Sequence, residues 1–309
     1  MRILNLYVEK DSFVHKLAPV TKLMNAIKID VKNLTYKYPF SDKNALENVS
    51  FTIYQGESVG IIGRNGAGKS TLCYALSGLI PRFFKGKYHG KISIDGEDIQ
   101  QLPFEKLVKK VGLILQSPFS QISGAKMTVY EEVAFVLENV GTEREEMVRR
   151  IEKVLKQFNL WEKRNDNPFE LSGGQLQRLT IASVLALEPE ILILDEPTSQ
   201  LDPQGTTEVF ETIKKLKELG MTIIIVEHKY EKLVEYVDKI ILLNNGKVFA
   251  FDEPEKVFSL SQIDDYEIGK TFQTKICKEY NVRNENGYYP VKFQQAVELL
   301  KGVQIKWEV

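Results

Sequence analysis

The sequence has very few cysteines and no long apolar run. Among its 309 residues only Cys73 and Cys277 are cysteines, which is too few for a disulfide-based fold and typical of a reducing compartment. The apolar runs are short, as at residues 191–194, 223–226 and 240–243, whereas a membrane-spanning helix needs about 20 apolar residues. The first segment also carries charges where a secretory signal has an apolar stretch. We therefore expect that any membrane span is provided by another subunit.

Neither sign of charge is in excess. The chain has 41 Lys and Arg against 42 Asp and Glu, a net charge of −1, and this balance gives no support for nucleic acid as a partner. Hydrophobic residues make up 43% and charged residues 27%, as is ordinary for a soluble globular protein. The length allows one large domain and a smaller appendage.

The short apolar runs indicate the fold class. Each is followed by a helical pattern, which predicts a parallel sheet in an α/β domain. Residues 58–62 predict another strand, and residues 69–79 the helix that follows it. Asp202 and Pro203 predict the start of a later helix, which Gly220 ends. A tight hairpin turn is expected at residues 245–246, Asn-Gly.

Other segments have different periodicities. Residues 27–38 and 47–53 predict a separate, antiparallel strand layer. Between about 117 and 175 the pattern becomes helical, and two capping boxes are expected there, from Thr128 to Glu131 and from Thr142 to Glu145. The β/α rhythm is lost after about residue 256. There, residues 268–280 and 292–300 predict two short helices.

A glycine-rich loop is the strongest chemical signal. It lies between a predicted strand and a predicted helix and matches the P-loop pattern. Its glycines let backbone N–H groups turn toward phosphates, and the helix N-terminus adds a favourable dipole. Lys69 is placed to reach the β- and γ-phosphates, and Ser70 to bind Mg²⁺. We predict that MgATP is bound by this loop, which consists of Gly63, Arg64, Asn65, Gly66, Ala67, Gly68, Lys69, Ser70 and Thr71.

Two carboxylates follow the apolar run at residues 191–194. A strand buried on both faces delivers Asp195 and Glu196 to the carboxyl edge of the sheet. We expect Asp195 to hold the metal through water, and Glu196 to orient or deprotonate the attacking water.

The segment Leu-Ser-Gly-Gly-Gln at residues 171–175 predicts a second anion site. It precedes a predicted helix over residues 176–187, so its backbone N–H groups and the Ser172 hydroxyl face outward from a helix N-terminus. One domain does not need two such sites for its own nucleotide. A head-to-tail dimer explains the second site, in which each nucleotide contacts the partner's Ser172, Gly173, Gly174 and Gln175.

These motifs together resemble the nucleotide-binding domain of an ABC ATPase over about residues 27–252. The resemblance implies an α/β fold: a P-loop NTPase (RecA-like) core with an antiparallel β layer, an inserted helical subdomain over about residues 117–175 and a small C-terminal helical region. It implies an ATPase that requires ATP and Mg²⁺. It also implies a domain over residues 27–255 and a C-terminal region over residues 256–309 that helps dimerisation.

The resemblance also assigns roles to single residues. It implies that Tyr38 stacks on adenine, although Tyr36 is a competing candidate. Gln116 then senses Mg²⁺, His228 contacts the γ-phosphate, and Asp202 lies in the loop that crosses the dimer interface. The implied catalytic set is Lys69, Gln116, Glu196 and His228, and the implied metal set is Ser70, Gln116 and Asp195.

A narrower resemblance concerns the run Gln-Ser-Pro-Phe-Ser-Gln after strand 111–115, and Pro-Thr-Ser-Gln-Leu-Asp-Pro at residues 197–203. Both are similar to the ATPase subunits of energy-coupling factor (ECF) importers. This implies a second ATPase protomer, a transmembrane scaffold subunit docked around residues 117–140, and a membrane substrate-binding subunit for a vitamin or metal ion. The expected location is peripheral, on the cytoplasmic face of the membrane. Another ABC transporter, or a soluble ABC protein, is the alternative.

The N-terminal extension, residues 1–26, receives no function. Its residues 11–23 resemble the start of the ECF scaffold subunit, but no spanning helix follows them. A remnant of gene fusion, a cloning scar and chance all remain open as explanations.

Overall fold

The computed structural model describes residues 26–264 and 268–301. The extension at residues 1–26, with its resemblance at 11–23, therefore lies outside the described residues except for Ala26. The strands are β1 (Ile27–Lys37), β2 (Leu46–Tyr54), β3 (Ser58–Ile62), β4 (Lys87–Ile94), β5 (Glu97–Asp98), β6 (Val111–Ile114), β7 (Ile191–Asp195), β8 (Thr222–Val226), β9 (Lys239–Asn244) and β10 (Lys247–Asp252). The α-helices are α1 (Lys69–Leu76), α2 (Leu79–Arg82), α3 (Phe104–Lys110), α4 (Val129–Asn139), α5 (Arg144–Gln157), α6 (Gly173–Leu185), α7 (Pro203–Glu218), α8 (Tyr230–Tyr236), α9 (Pro254–Phe258), α10 (Phe272–Glu279) and α11 (Phe293–Leu300).

The central sheet of the described chain has six strands in the order β10-β9-β3-β8-β7-β6. The strands from β9 to β6 are parallel, and β10 pairs antiparallel with β9. Strands β3, β7 and β8 are buried at every position, and their alternate residues belong to two hydrophobic clusters, one on each face. The predicted parallel sheet is confirmed. Because parallel strands end at the same edge, the loops after β3, β6, β7 and β8 lie close together.

The antiparallel layer is larger than the sequence indicated. It is a four-stranded sheet in the order β2-β1-β4-β5, so the two predicted strands gain a third long partner, β4. The first half of β4 is exposed, and this polar half hides the strand's apolar pattern. Residues that alternate along β1 and β2 point into the same cluster as α1 and one face of the central sheet. The layer therefore lies against the helix that follows the glycine-rich loop.

The helical segment contains α4 and α5. The capping box at Thr128 is confirmed, since its side chain accepts from the Glu131 N–H and the Glu131 side chain accepts from the Thr128 N–H. The second predicted box is wrong, because α5 begins at Arg144 with Glu143 as its N-cap and no side-chain cap. Thr142 instead helps to end α4: its N–H donates to Leu137 O at 3.1 Å, next to a left-handed Gly141. This is a Schellman C-cap.

Helix α7 begins as predicted. The Asp202 side chain accepts from the Gly205 N–H at 2.7 Å, and Pro203 is the first helical residue. The helix buries Val209, Ile213 and Leu216. It ends at the left-handed Gly220.

The predictions for helix α1, for the two C-terminal helices and for the hairpin turn at residues 245–246 can also be compared with the structure. Helix α1 is shorter than expected, since Gly78 has φ 74° and stops the chain from continuing. The two C-terminal helices, α10 and α11, form within the predicted segments, and they pack on a small cluster of Cys277, Tyr289 and Ala296. The hairpin turn between β9 and β10 is confirmed, with positive φ at Asn245 and Gly246. Within the described ranges, no helix combines the length and low polarity that a membrane span requires.

Candidate functional site

The glycine-rich loop curls around the end of the Lys69 side chain. Lys69 Nζ donates to Gly63 O at 2.9 Å and to Arg64 O at 3.1 Å, and the residue is 6% exposed. Burial lowers the pKa of Lys69, and the nearby carboxylates of Glu196 and Asp195 oppose that shift. The loop therefore holds a cation at the start of α1, where a phosphate can replace the carbonyl partners.

Glycine is required where this loop passes the antiparallel layer. Gly68 has φ 104°, and a Cβ there would lie 2.5 Å from Ala45 O. A side chain would therefore collide with backbone as well as strain the loop. This contact explains why the sequence places Gly directly before Lys69.

A cleft of about 950 Å³ opens in front of the loop. Tyr38 lies at its wall, and its hydroxyl is 3.2 Å from Thr71 Oγ1. Tyr36, the competing aromatic residue, is completely buried and donates to Phe84 O and Lys85 O, so it does not reach the cleft. The lining residues are Tyr38, Ala45, Gly63, Arg64, Asn65, Gly66, Gly68, Lys69, Ser70, Thr71, Gln116, Glu196, His228 and Tyr230.

Asp195 lies below this cleft at the end of β7. It is 3% exposed, and among the described residues its Oδ1 atom is buried without a hydrogen-bond partner. Burial raises the pKa of Asp195, and a hydrogen bond with Ser70 acts in the opposite direction. A buried carboxylate oxygen without a partner, beside a hydroxyl, matches the oxygen ligands that Mg²⁺ prefers.

Glu196 links the loops that follow three strands. Gln116 Nε2 donates to Glu196 Oε2 at 2.8 Å. His228 Nε2 lies 2.9 Å from Glu196 Oε1, and because a carboxylate can only accept, Nε2–H is the donor. Glu196 itself has φ 51°, a left-handed conformation that costs energy for a residue other than glycine. The structure therefore brings together three residues that are far apart in sequence.

The Ser172 segment lies in a second cleft, of about 410 Å³. Ser172 is the N-cap of α6 and forms a capping box with Gln175. The helix begins at Gly173, three residues earlier than predicted, because the Ser172 side chain already caps it. The two clefts have no lining residue in common. The second cleft is lined by Ser172, Gly173, Gly174, Gln175, Arg178, Gln200, Leu201, Asp202, Gln204, Gly205 and Glu208.

Several residues at or near these clefts could not be identified from the sequence. Ala45 and Tyr230 line the first cleft from a loop and from α8, and no motif marks them. Gln121, the second glutamine of the run after β6, had no assigned role. Its Oε1 accepts from the Leu115 N–H at 2.7 Å and its Nε2 donates to Leu113 O at 3.0 Å. The side chain thereby fastens the loop that carries Gln116 to β6.

Comparison with known proteins finds relatives that cover most of this chain. The family model for the ABC transporter matches residues 46–199. A putative ABC transporter ATP-binding protein of Pyrococcus abyssi is 48% identical over 231 residues, which cover 74% of this chain and 82% of the relative. The energy-coupling factor transporter ATP-binding protein EcfA1 of Bacillus subtilis is 42% identical over 237 residues, covering 76% of this chain and 81% of the relative.

Solved structures share the fold of this chain. CbiO1 from Clostridium perfringens, described as part of the ABC transporter complex CbiONQ, is 32% identical with a TM-score of 0.66. The match covers 77% of this chain and 93% of that chain. A dimeric ATP-binding cassette in a post-hydrolysis state with ADP and Pi is 31% identical, with a TM-score of 0.63, over 73% of this chain and 98% of its own.

Proposed function

The chain belongs to the ABC transporter ATP-binding family, and from this premise we propose that it is the ATPase subunit of an ECF-type importer. ATP hydrolysis by this chain energises the uptake of a small molecule, a vitamin or a metal ion. The observation that carries the ATPase role is one cleft lined by Lys69, Gln116, Glu196 and His228, which follow four neighbouring strands. The similarity to EcfA1 supports the importer class.

In this proposal the triphosphate lies along the loop at residues 63–68. Lys69 exchanges its two carbonyl partners for phosphate oxygens, and Tyr38 stacks on the adenine. Glu196 holds or deprotonates the attacking water, while His228 and Gln116 orient the Glu196 carboxylate. These side chains act by position and charge, as phosphoryl transfer requires.

Mg²⁺ is the metal that this set of donors fits. Ser70 would supply a hydroxyl oxygen, Gln116 an amide oxygen, and the unpartnered Oδ1 of Asp195 a carboxylate oxygen, reached through water. When bound, the ion neutralises charge that develops on the phosphates.

The complete site is proposed to lie between two protomers. The Ser172 N-cap and the Asp202 loop lie in a cleft separate from the P-loop, so one copy does not enclose a nucleotide on its own. A second copy or a related ATPase brings these residues to the first cleft. Exposed apolar side chains at Phe272 and Phe293 support a role of residues 256–309 in the same dimer.

The transmembrane scaffold subunit is proposed to dock on the helical subdomain around residues 117–140. Large apolar side chains are exposed on this subdomain, among them Phe119 (51%), Met127 (71%) and Phe169 (51%). The subdomain therefore offers an apolar surface next to the loop that carries Gln116. This interaction would hold the chain at the cytoplasmic face of the membrane.

The ATPase roles are tested with the full chain and MgATP. Glu196→Gln is expected to bind ATP, to lose turnover by roughly 10²-fold or more, and to remain as an ATP-bound dimer in size-exclusion chromatography. Lys69→Ala is expected to lose nucleotide binding or hydrolysis. Normal turnover in either variant would remove that residue from the mechanism.

The importer class is tested by identifying the membrane proteins that co-purify with the chain. A scaffold subunit and a substrate-binding subunit of an ECF importer are expected. Phe119→Ser should reduce their recovery, and Phe249→Ser, a change at an exposed Phe on β10, should not. Recovery of the membrane domains of another ABC transporter would favour the alternative, and recovery in the soluble fraction alone would favour a soluble ABC protein.

A further inference from the structure

A buried polar cluster lies beneath the loops that carry Glu196 and His228. Glu227 is 3% exposed and Thr198 is completely buried. Glu227 Oε1 accepts from the Thr198 hydroxyl. Glu227 Oε2 accepts from the backbone N–H groups of His228, at 2.9 Å, and Lys229, at 3.3 Å. A carboxylate buried this deeply is tolerated only when it is hydrogen-bonded, and here these three donors satisfy it.

Lys229 extends the cluster to helix α7. Its Nζ donates to Thr198 O at 3.0 Å and to Thr206 Oγ1 at 2.8 Å. Thr206 is 4% exposed and lies in the first turn of the helix that Asp202 caps. Thr198 is thus held at its hydroxyl by Glu227 and at its carbonyl by Lys229.

The cluster joins the same two loops as the contact between Glu196 and His228. Strands β7 and β8 are paired up to Asp195 and Val226, and the Glu196 N–H still donates to Val226 O at 3.0 Å. Beyond that point the two chains leave the sheet. The contact of 2.9 Å between the Glu196 and His228 side chains therefore depends on what fixes the loops.

We propose that Glu227, Thr198 and Lys229 are positioning residues for ATP hydrolysis. They connect the His228 loop to the Glu196 loop and to the start of α7. Docking of a partner at the second cleft, which contains Asp202, therefore changes the position of the Glu196 carboxylate as well. This inference rests on the proposed function of Glu196 and His228. Misplacement of a reacting group by about 1 Å can reduce turnover by roughly 10²-fold.

The experiment compares Thr198→Val with Thr198→Ser in the full chain. Valine has nearly the shape of threonine but lacks the hydroxyl that reaches Glu227, and serine retains it. Thr198→Val is expected to lower kcat for MgATP by about ten- to a hundredfold, with KM within about threefold of the wild type. Thr198→Ser should stay within about twofold in both.

Thr222→Val is the matched control. Thr222 is also buried, at the opposite end of β8, where its hydroxyl accepts from the Gly56 N–H at 2.9 Å. This variant should lower thermal stability and leave kcat unchanged. If Thr198→Val unfolds, Lys229→Met serves instead, since it removes the contacts to Thr198 O and Thr206 at a less buried position, and it should also lower kcat at constant KM.

Three results would overturn the inference: an unchanged kcat in Thr198→Val, an equal loss in the valine and serine variants, or an equal loss in Thr222→Val. If Thr198→Val unfolds, an unchanged kcat in Lys229→Met would also overturn it. Failure of the proposed function looks different. In that case Glu196→Gln itself retains turnover, whereas failure of this inference leaves Glu196→Gln inactive and Thr198→Val active.

Discussion

Replacing Asp195 by Asn is expected to make the nucleotide-free protein more stable. The side chain is 3% exposed, and among the described residues its Oδ1 has no partner. Burial raises its pKa, and the opposing effects of Ser70 and Lys69 do not cancel the shift. The surroundings therefore disfavour the negative charge, and asparagine has nearly the same shape without it.

The size of the effect follows from the chemistry of the buried atom. An unsatisfied buried polar group costs about 1–3 kcal/mol, and more if it is charged. Asparagine leaves a neutral polar atom in the same place, so only the excess cost of the charge is removed. We expect a gain of about 1 kcal/mol, which raises Tm by roughly 2 °C in a chain of this size. Hydrolysis of MgATP should be lost in the same variant, because the carboxylate proposed to hold Mg²⁺ is removed. A residue kept for function is often not optimal for stability.

The assay is thermal unfolding without nucleotide or Mg²⁺, and Asp95→Asn is the control. Burial opposes the charge of Asp95, but hydrogen bonds from Lys110 and Lys28 outweigh it and lower its pKa. Asp95→Asn should therefore decrease the Tm of the protein, whereas Asp195→Asn should increase it. A Tm of Asp195→Asn at or below that of the wild type, with Asp95→Asn behaving as expected, would refute the reasoning.

Two further predictions concern stability. Thr128→Ala should lower the free energy of unfolding, measured by chemical denaturation, by about 1 kcal/mol. Thr142→Ala should leave it almost unchanged, because the Thr142 side chain caps no helix. Equal losses in the two variants would contradict the capping assignment. The ion pairs of Asp95 with Lys28 and Lys110 stabilise the folded state and lower the pKa of Asp95. This stabilisation is fully present above pH 3.8, the ordinary pKa of the group, and is lost as the pH falls through the lowered pKa. The difference in Tm between the wild type and Asp95→Asn should therefore persist from about pH 7 to pH 4 and shrink only in stronger acid; a difference that disappears by about pH 6 would contradict this sign.

The sequence alone was sufficient where the physical cause is local. A strand buried on both faces needs a continuous apolar run, so β7, β8 and β9 could be predicted from residues 191–194, 223–226 and 240–243. The Asp202 cap depends only on neighbouring residues. The glycine-rich loop could be recognised from its own residues, although Gly68 is also required by its distant neighbour Ala45. The prediction of the second capping box was wrong because Thr142 belongs to the C-terminal cap of α4. That cap depends on Gly141 and on the last turn of the helix before it.

The tertiary structure decided which residues meet. Gln116 and His228 are 80 and 32 residues from Glu196 in sequence, and only the order of the parallel strands brings their loops to one edge. It also decided between Tyr36 and Tyr38. Tyr36 lies within β1 and is completely buried, whereas Tyr38 lies just past the end of that strand and lines the cleft. The contacts of Thr198 with Glu227 and Lys229 left no pattern in the sequence, because a hydrogen bond between two loops depends on their distance in space and not on any local periodicity.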